Sequence, residues 1–173
     1  MDNKVYSLPQ LEQVLLNVGN ALEKKCHIIA VGGFCMLLLR SRVFTTDIDF
    51  IPRDSEFVVP LEYADILNHD ILNLSTLLLD FETIRKFTET QKQYGNLTVH
   101  LASSELLLAM KLIARQARHQ ERDLLDIKHL YAISDWQKMY EIYTIINRGA
   151  METAQDLQAF IETELWLLEQ GGM

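Results

Sequence analysis

The sequence predicts a mixed α/β protein: a mixed sheet flanked by helices over residues 1–102, followed by a helical bundle over 103–173 packed on it. Three observations carry this reading. The apolar, β-branched run "HIIAV" (27–31) stops at the glycine pair Gly32-Gly33. The stretch "TTDIDFI" (45–51) alternates polar and apolar residues until Pro52. Beyond Ser103 and Ser104 no strand pattern survives, and four successive segments repeat apolar residues at helical spacing.

Taken in order, Ser7 with Gln10 three residues on and Pro9 between them reads as a helix start. Leu11, Val14, Leu15, Val18 and Leu22 then form one apolar face. "HIIAV" suits a buried strand, "FCMLLLR" (34–40) a buried helix opening at the glycines, and "TTDIDFI" a second strand. From Pro60 to Asn73, Leu61, Ala64, Ile66, Leu67 and Ile71 favour a helix with proline near its first turn. "ETIRKFT" and "NLTVHL" read as two strands around the turn signal Tyr94-Gly95-Asn96. The four C-terminal helices are "SSELLLAMKLIARQARHQ", capped by Ser103 or Ser104, "ERDLLDIKHLYAI", "DWQKMYEIYTIINRG", stopped by Gly149, and "METAQDLQAFIETELWLLEQ".

The chain has 173 residues, 49% of them apolar, and a formal charge of −8. That charge disfavours a protein that coats nucleic acid, because phosphate binding is driven by Lys and Arg releasing counterions. With no signal peptide and no continuous apolar span, the expectation is a soluble, cytoplasmic protein with no membrane partner. Cys26 and Cys35 have neither metal-ligand nor disulfide spacing and read as buried free thiols.

On a strand, Asp47 and Asp49 point to one face while Ile48 and Phe50 anchor the other. Two adjacent carboxylates raise each other's pKa, so the pair is either well solvated or built around a cation. Mg²⁺ suits it, taking one or two protein carboxylates and completing its octahedron with water and substrate phosphate. The glycine pair lets backbone approach such a phosphate, with the N–H groups of the following helix turned toward it. The bland reading is an edge strand with solvated acids beside an ordinary turn.

"VGG", thirteen residues and then "DIDF" resembles the signature of the DNA polymerase β-like nucleotidyltransferase superfamily. Together with "VHLASSELLLAMKLIARQARHQERDLLDI", the stretch is similar to the AbiEii-type nucleotidyltransferase toxins of type IV toxin–antitoxin systems. The resemblance runs from Ile28 to about Leu130. It implies a nucleotidyltransferase-type mixed sheet bearing the aspartates, a helical C-terminal half, and transfer of a nucleotide from an NTP to a hydroxyl of RNA, such as a tRNA end, or of a protein. A cognate antitoxin is an implied partner. Carried over by residue, Gly32 and Gly33 hold the triphosphate and Asp47 and Asp49 hold Mg²⁺ at a one- or two-metal site. Lys111 and Asp126 complete the catalytic set, with Asp123 as the alternative to Asp126. Thr46, Arg42, Arg115 and Arg118 are the further candidate nucleotide-binding residues. A third carboxylate is expected on a later strand; "NLTVHL" carries His100 there, and Asp80 and Glu82 are possible substitutes.

Lys111, Arg115, Arg118 and Arg122 are spaced by four, three and four residues, one stripe of a helix. They are either a solvated face laced with ion pairs to Glu121, Asp123 and Asp126, or a cationic surface for triphosphate or acceptor. Lys111, flanked by Met110, Leu112 and Ile113, is expected to be half buried with a fixed phosphate or carboxylate partner. His27, His69, His100, His119 and His129 show no metal spacing and read as surface or strand residues. Trp136, Tyr140, Tyr143, Phe160 and Trp166 fit core packing rather than a stacking platform. Two rival functions remain open: a non-catalytic module that binds nucleotide or a protein partner, and a purely structural helical interaction protein.

Overall fold

The computed structural model describes residues 4–54, 57–69, 80–118, 121–147 and 152–171. The fold is mixed α/β, and the chain divides into two compact units, Met1–Ser103 and Ser104–Met173.

The first unit begins with α1, Leu8–Ala21. Ser7 N–H donates to the Gln10 side chain at 2.8 Å, fixing the start. Leu11, Leu15 and Val18 are its buried face. β1 (Cys26–Val31) runs straight into α2 (Gly32–Leu38), whose Phe34, Cys35, Met36 and Leu37 are buried. α2 ends in a Schellman turn: Ser41 N–H bonds Met36 O at 3.1 Å and Arg40 N–H bonds Leu37 O at 3.0 Å. Arg40 takes the left-handed conformation there, φ 59°. β2 (Ile48–Pro52) follows with Ile48 and Phe50 buried and Asp49 only partly so.

Where a helix is expected from Pro60 onward, the structure has one 3₁₀ turn, Leu61–Tyr63, and then strand β3, Leu67–His69. Leu61 is 93% exposed, so the helical spacing of apolar residues there marks no core face. Pairing with the open edge of β2 wins instead, opened by Ile48 N–H to Ile66 O at 2.7 Å, and Leu67 is buried. Ile71 lies outside the described residues.

"ETIRKFT" is likewise not a strand. α3 covers Phe81–Arg85, and Asp80 caps it by accepting from Thr83 N–H at 2.8 Å, with Phe81 and Ile84 buried at i, i+3. β4 (Thr88–Tyr94) and β5 (Leu97–Ala102) form the hairpin around the Gly95-Asn96 turn.

The five strands lie in the order β3-β2-β1-β5-β4. β1 pairs antiparallel with β2 (Val31 opposite Asp49, Ala30 opposite Phe50) and parallel with β5 (Ile29 opposite His100). β3 joins β2 in parallel, Asn68 opposite Asp49. Strand alternation therefore puts Ile28, Ala30, Phe50, Val99 and Leu101, all buried, on one face. His27, Ile29, Val31, Asp49, Ile51, Arg53 and His100 fall on the other side of the pleat, where buried Ile29 and Val31 are accompanied by the polar groups of His27, Asp49, Arg53 and His100.

The second unit is helical: α4 (Ser104–Arg118), α5 (Glu121–Ile133), α6 (Trp136–Ile146) and α7 (Ala154–Gly171). Leu106, Leu112, Leu130, Met139, Ile142, Tyr143, Ile146, Leu157 and Ile161 make its core. Asp135 caps α6 through Lys138 N–H at 2.9 Å. Thr153 and Asp156 cap α7 reciprocally, at 3.0 and 3.1 Å. Of the aromatic residues expected in the core, Tyr143 is fully buried, whereas Trp166 is 58% exposed on α7. Gly149, expected to stop α6, lies outside the described residues. No helix among the described residues is long and apolar enough to cross a membrane.

Candidate functional site

The glycine pair and the aspartate strand meet because β1 and β2 are antiparallel neighbours. The register that sets Val31 opposite Asp49 brings Asp49 over the first residue of α2. Gly32 has φ +62°, a left-handed conformation that glycine adopts without strain. A Cβ there would lie 2.2 Å from Asp49 Oδ2. At Gly33 a Cβ would lie 2.1 Å from Thr45 Oγ1 and 3.4 Å from Arg42 Nη1. The missing side chains thus admit the Asp49 carboxylate, the Thr45 hydroxyl and the Arg42 guanidinium to the start of α2. Thr45 itself is held by a two-way bridge to Tyr6, with N···O distances of 2.7 and 3.0 Å. Its hydroxyl is buried and has no hydrogen-bond partner among the described residues, an arrangement that costs free energy unless a ligand or water supplies one.

Asp47 accepts from Asn68 Nδ2 at 2.8 Å. It borders a cleft of about 560 Å³ lined also by Lys4, Tyr6, Thr46, Glu62 and Asp65. Glu62 and Asp65 escaped the sequence reading because their segment was expected to be helical. Asn68 was missed for the same reason, and only the pairing of β3 with β2 could have pointed to it. Asp80 and Glu82, considered as third carboxylates, are engaged elsewhere. Asp80 is the α3 cap, its carboxyl held below the usual range by the Thr83 N–H. Glu82 bridges Arg85 at 2.8 Å and Arg53 at 3.4 Å.

The donor set of the first unit fits Mg²⁺ in kind: Asp49 lies on β2 and Asp47, expected on the same strand, sits immediately before it; both are partly exposed carboxylates, and this ion asks for one or two such ligands. Among the described residues no three His, Cys, Asp or Glu side chains converge as a complete protein cage.

In the second unit the structure brings Lys111, Asp123 and Asp126 together. The Lys111 ammonium, 13% exposed, is 3.0 Å from Asp123 and 2.9 Å from Asp126, both buried. The fixed carboxylate partner expected for Lys111 is therefore present twice. Arg115 reaches across to α7, donating from Nε to Glu164 at 2.8 Å. The side chain of Arg118 and all of His119 lie outside the described residues. Cys26 and Cys35 are buried free thiols; burial pushes the Cys35 thiol up to about 12, which makes it inert.

No protein-family model, no curated protein and no solved structure matches the chain.

Proposed function

We propose that the chain is an Mg²⁺-dependent nucleotidyltransferase of the DNA polymerase β-like type, moving a nucleoside monophosphate from an NTP to a hydroxyl of RNA or protein. The observation that carries this reading is the meeting of Asp49 with Gly32-Gly33 across the β1–β2 pair, with Asp47 two residues earlier, just before β2. Asp47 and Asp49 would hold the metal, with Asn68 orienting Asp47. Mg²⁺, when bound, would supply positive charge at the attacking and leaving oxygens. Arg42 and the Thr45 hydroxyl would donate to triphosphate oxygens at the glycine turn, with Thr46 alongside. The Thr45 hydroxyl, without a partner among the described residues, supports this, since a phosphate oxygen would supply an acceptor for it. The acceptor hydroxyl would form its bond to the α-phosphorus as the bond to pyrophosphate breaks. By the resemblance, Lys111 and Asp126 would be further catalytic residues, Arg115 and Arg118 further nucleotide-binding residues, and a cognate antitoxin a partner.

Incubation of the purified chain with labelled NTPs, Mg²⁺ and tRNA or protein acceptors tests this. Transfer should fall by roughly two to three orders of magnitude in Asp49→Asn, and equal activity in the variant would contradict the assignment. One observation favours a second reading, a non-catalytic nucleotide-binding module: β5 carries His100 where a third carboxylate is expected. That reading predicts NTP binding indifferent to Mg²⁺, and no pyrophosphate release with any acceptor.

A further inference from the structure

The Asp49 face of the sheet carries a second group of polar side chains, at the end away from the Gly32 turn. Arg53 N–H bonds His27 O at 2.9 Å and so begins the turn after β2 beside the start of β1. There His27 and His100 stack, with ring centroids 5.5 Å apart, planes at 21°, and His27 Nδ1 3.2 Å from His100 Nε2. Above them α3 contributes Phe81, edge-on to His100, and Arg85. Glu82 ties the two guanidiniums together through their Nε atoms, at 3.4 Å to Arg53 and 2.8 Å to Arg85. These residues line a cavity of about 500 Å³.

We propose that this cavity is an anion site for a phosphate group, formed by Arg53, Arg85, His27 and His100 and distinct from the cleft that Asp47 borders. The charge balance argues for it. Two arginines and one glutamate leave a fixed charge of +1 beside an imidazole that is only 6% exposed. Among the described residues the Nη atoms of both arginines form no hydrogen bond, so two guanidinium forks keep donors for a ligand. In the neutral histidine pair one ring donates to the other, leaving a single outer N–H; one added proton makes both outer nitrogens donors. The cluster then carries +2 and converging donors, which match a phosphate with its charge near −2 and three acceptor oxygens better than a carboxylate. Without a ligand the positive neighbours work against that proton: burial first, then His27, Arg85 and Arg53 hold the His100 pKa down, against Glu82 alone. A bound phosphate dianion reverses the balance, so above the ligand's own second pKa of about 6 binding takes up a proton and strengthens as pH falls. The site stands whether or not Asp47 and Asp49 hold a metal.

Titration of the full chain with inorganic phosphate, with AMP, and with acetate at matched ionic strength tests it, read by NMR of the histidine ring signals. Phosphate should shift His27 and His100 saturably and raise the His100 titration midpoint. Arg53→Gln and Arg85→Gln, at half-exposed positions that leave the imidazoles in place, should each weaken binding by roughly tenfold. Binding of AMP about tenfold tighter than phosphate would assign the group to a nucleotide, and equal binding would mean that the phosphate alone is recognised. No saturable shift, the same shift with acetate, or unchanged affinity in both variants would overturn the proposal.

Discussion

Asp47, just before β2, accepts a neutral amide hydrogen bond from Asn68 at 2.8 Å and borders an open cleft. Asp126 on α5 is buried and bound to the Lys111 ammonium at 2.9 Å, with Asp123 on the same nitrogen. The contrast separates two uses of a carboxylate. A buried acid neutralised in place is held by its partner, and removing that partner leaves an uncompensated charge in the interior. A partly exposed acid with a neutral neighbour keeps oxygens for a cation.

The largest effect expected from this difference is on stability. Lys111→Met should cost about 3–5 kcal/mol, measured by denaturant unfolding. Asp47→Asn should stay within about 0.5–1 kcal/mol. Equal losses would erase the distinction.

Gly32→Ala should come next. A side chain at φ +62° costs about 1–2 kcal/mol, and its Cβ, 2.2 Å from Asp49 Oδ2, must push the carboxylate away. Nucleotide binding should therefore fall along with stability, whereas Lys111→Met acts first on folding.

These two residues also show what was legible in the sequence. The strand–Gly-Gly–helix–Asp-x-Asp order was readable because each element is written locally: β-branched residues before the glycines, period two around Ile48 and Phe50. The stretch from Pro60 to His69 was not, since its apolar spacing suits a helix and only the unpaired edge of β2 makes Leu67–His69 a strand. With it went Asn68, Glu62 and Asp65. α3 carried a signal that went unread, the cap Asp80 with Thr83 three residues on. The partners of Lys111 were within reach of sequence reasoning because Asp123 and Asp126 lie on the next helix in the chain. Those of Arg115 and of the His27–His100 pair lie 49 and 73 residues apart, and only tertiary structure brings them together.

Thr45→Val tests the site end more finely. It removes a buried hydroxyl that lacks a partner among the described residues. The ligand-free protein should be unchanged or up to about 1 kcal/mol more stable, while nucleotide affinity falls. A loss of stability would mean that the hydroxyl serves the fold.

The smallest effect is a pH slope. His100 titrates below the ordinary histidine value because it is buried. Between that lowered value and the unfolded one near 6.5 the unfolded chain binds more protons than the folded chain. Stability should therefore be full above about pH 6.5 and decline as pH falls toward the folded value. Urea midpoints from pH 7 to 5 should show this decline, and His100→Gln should flatten it.

Calorimetry of NTP binding to the wild type and to Asp49→Asn, with Mg²⁺ and with EDTA, asks whether the aspartates carry a metal-bound nucleotide. Wild-type binding should be tighter by about tenfold or more with Mg²⁺, and Asp49→Asn should lose that advantage. Equal wild-type affinity in Mg²⁺ and EDTA would contradict the metal site.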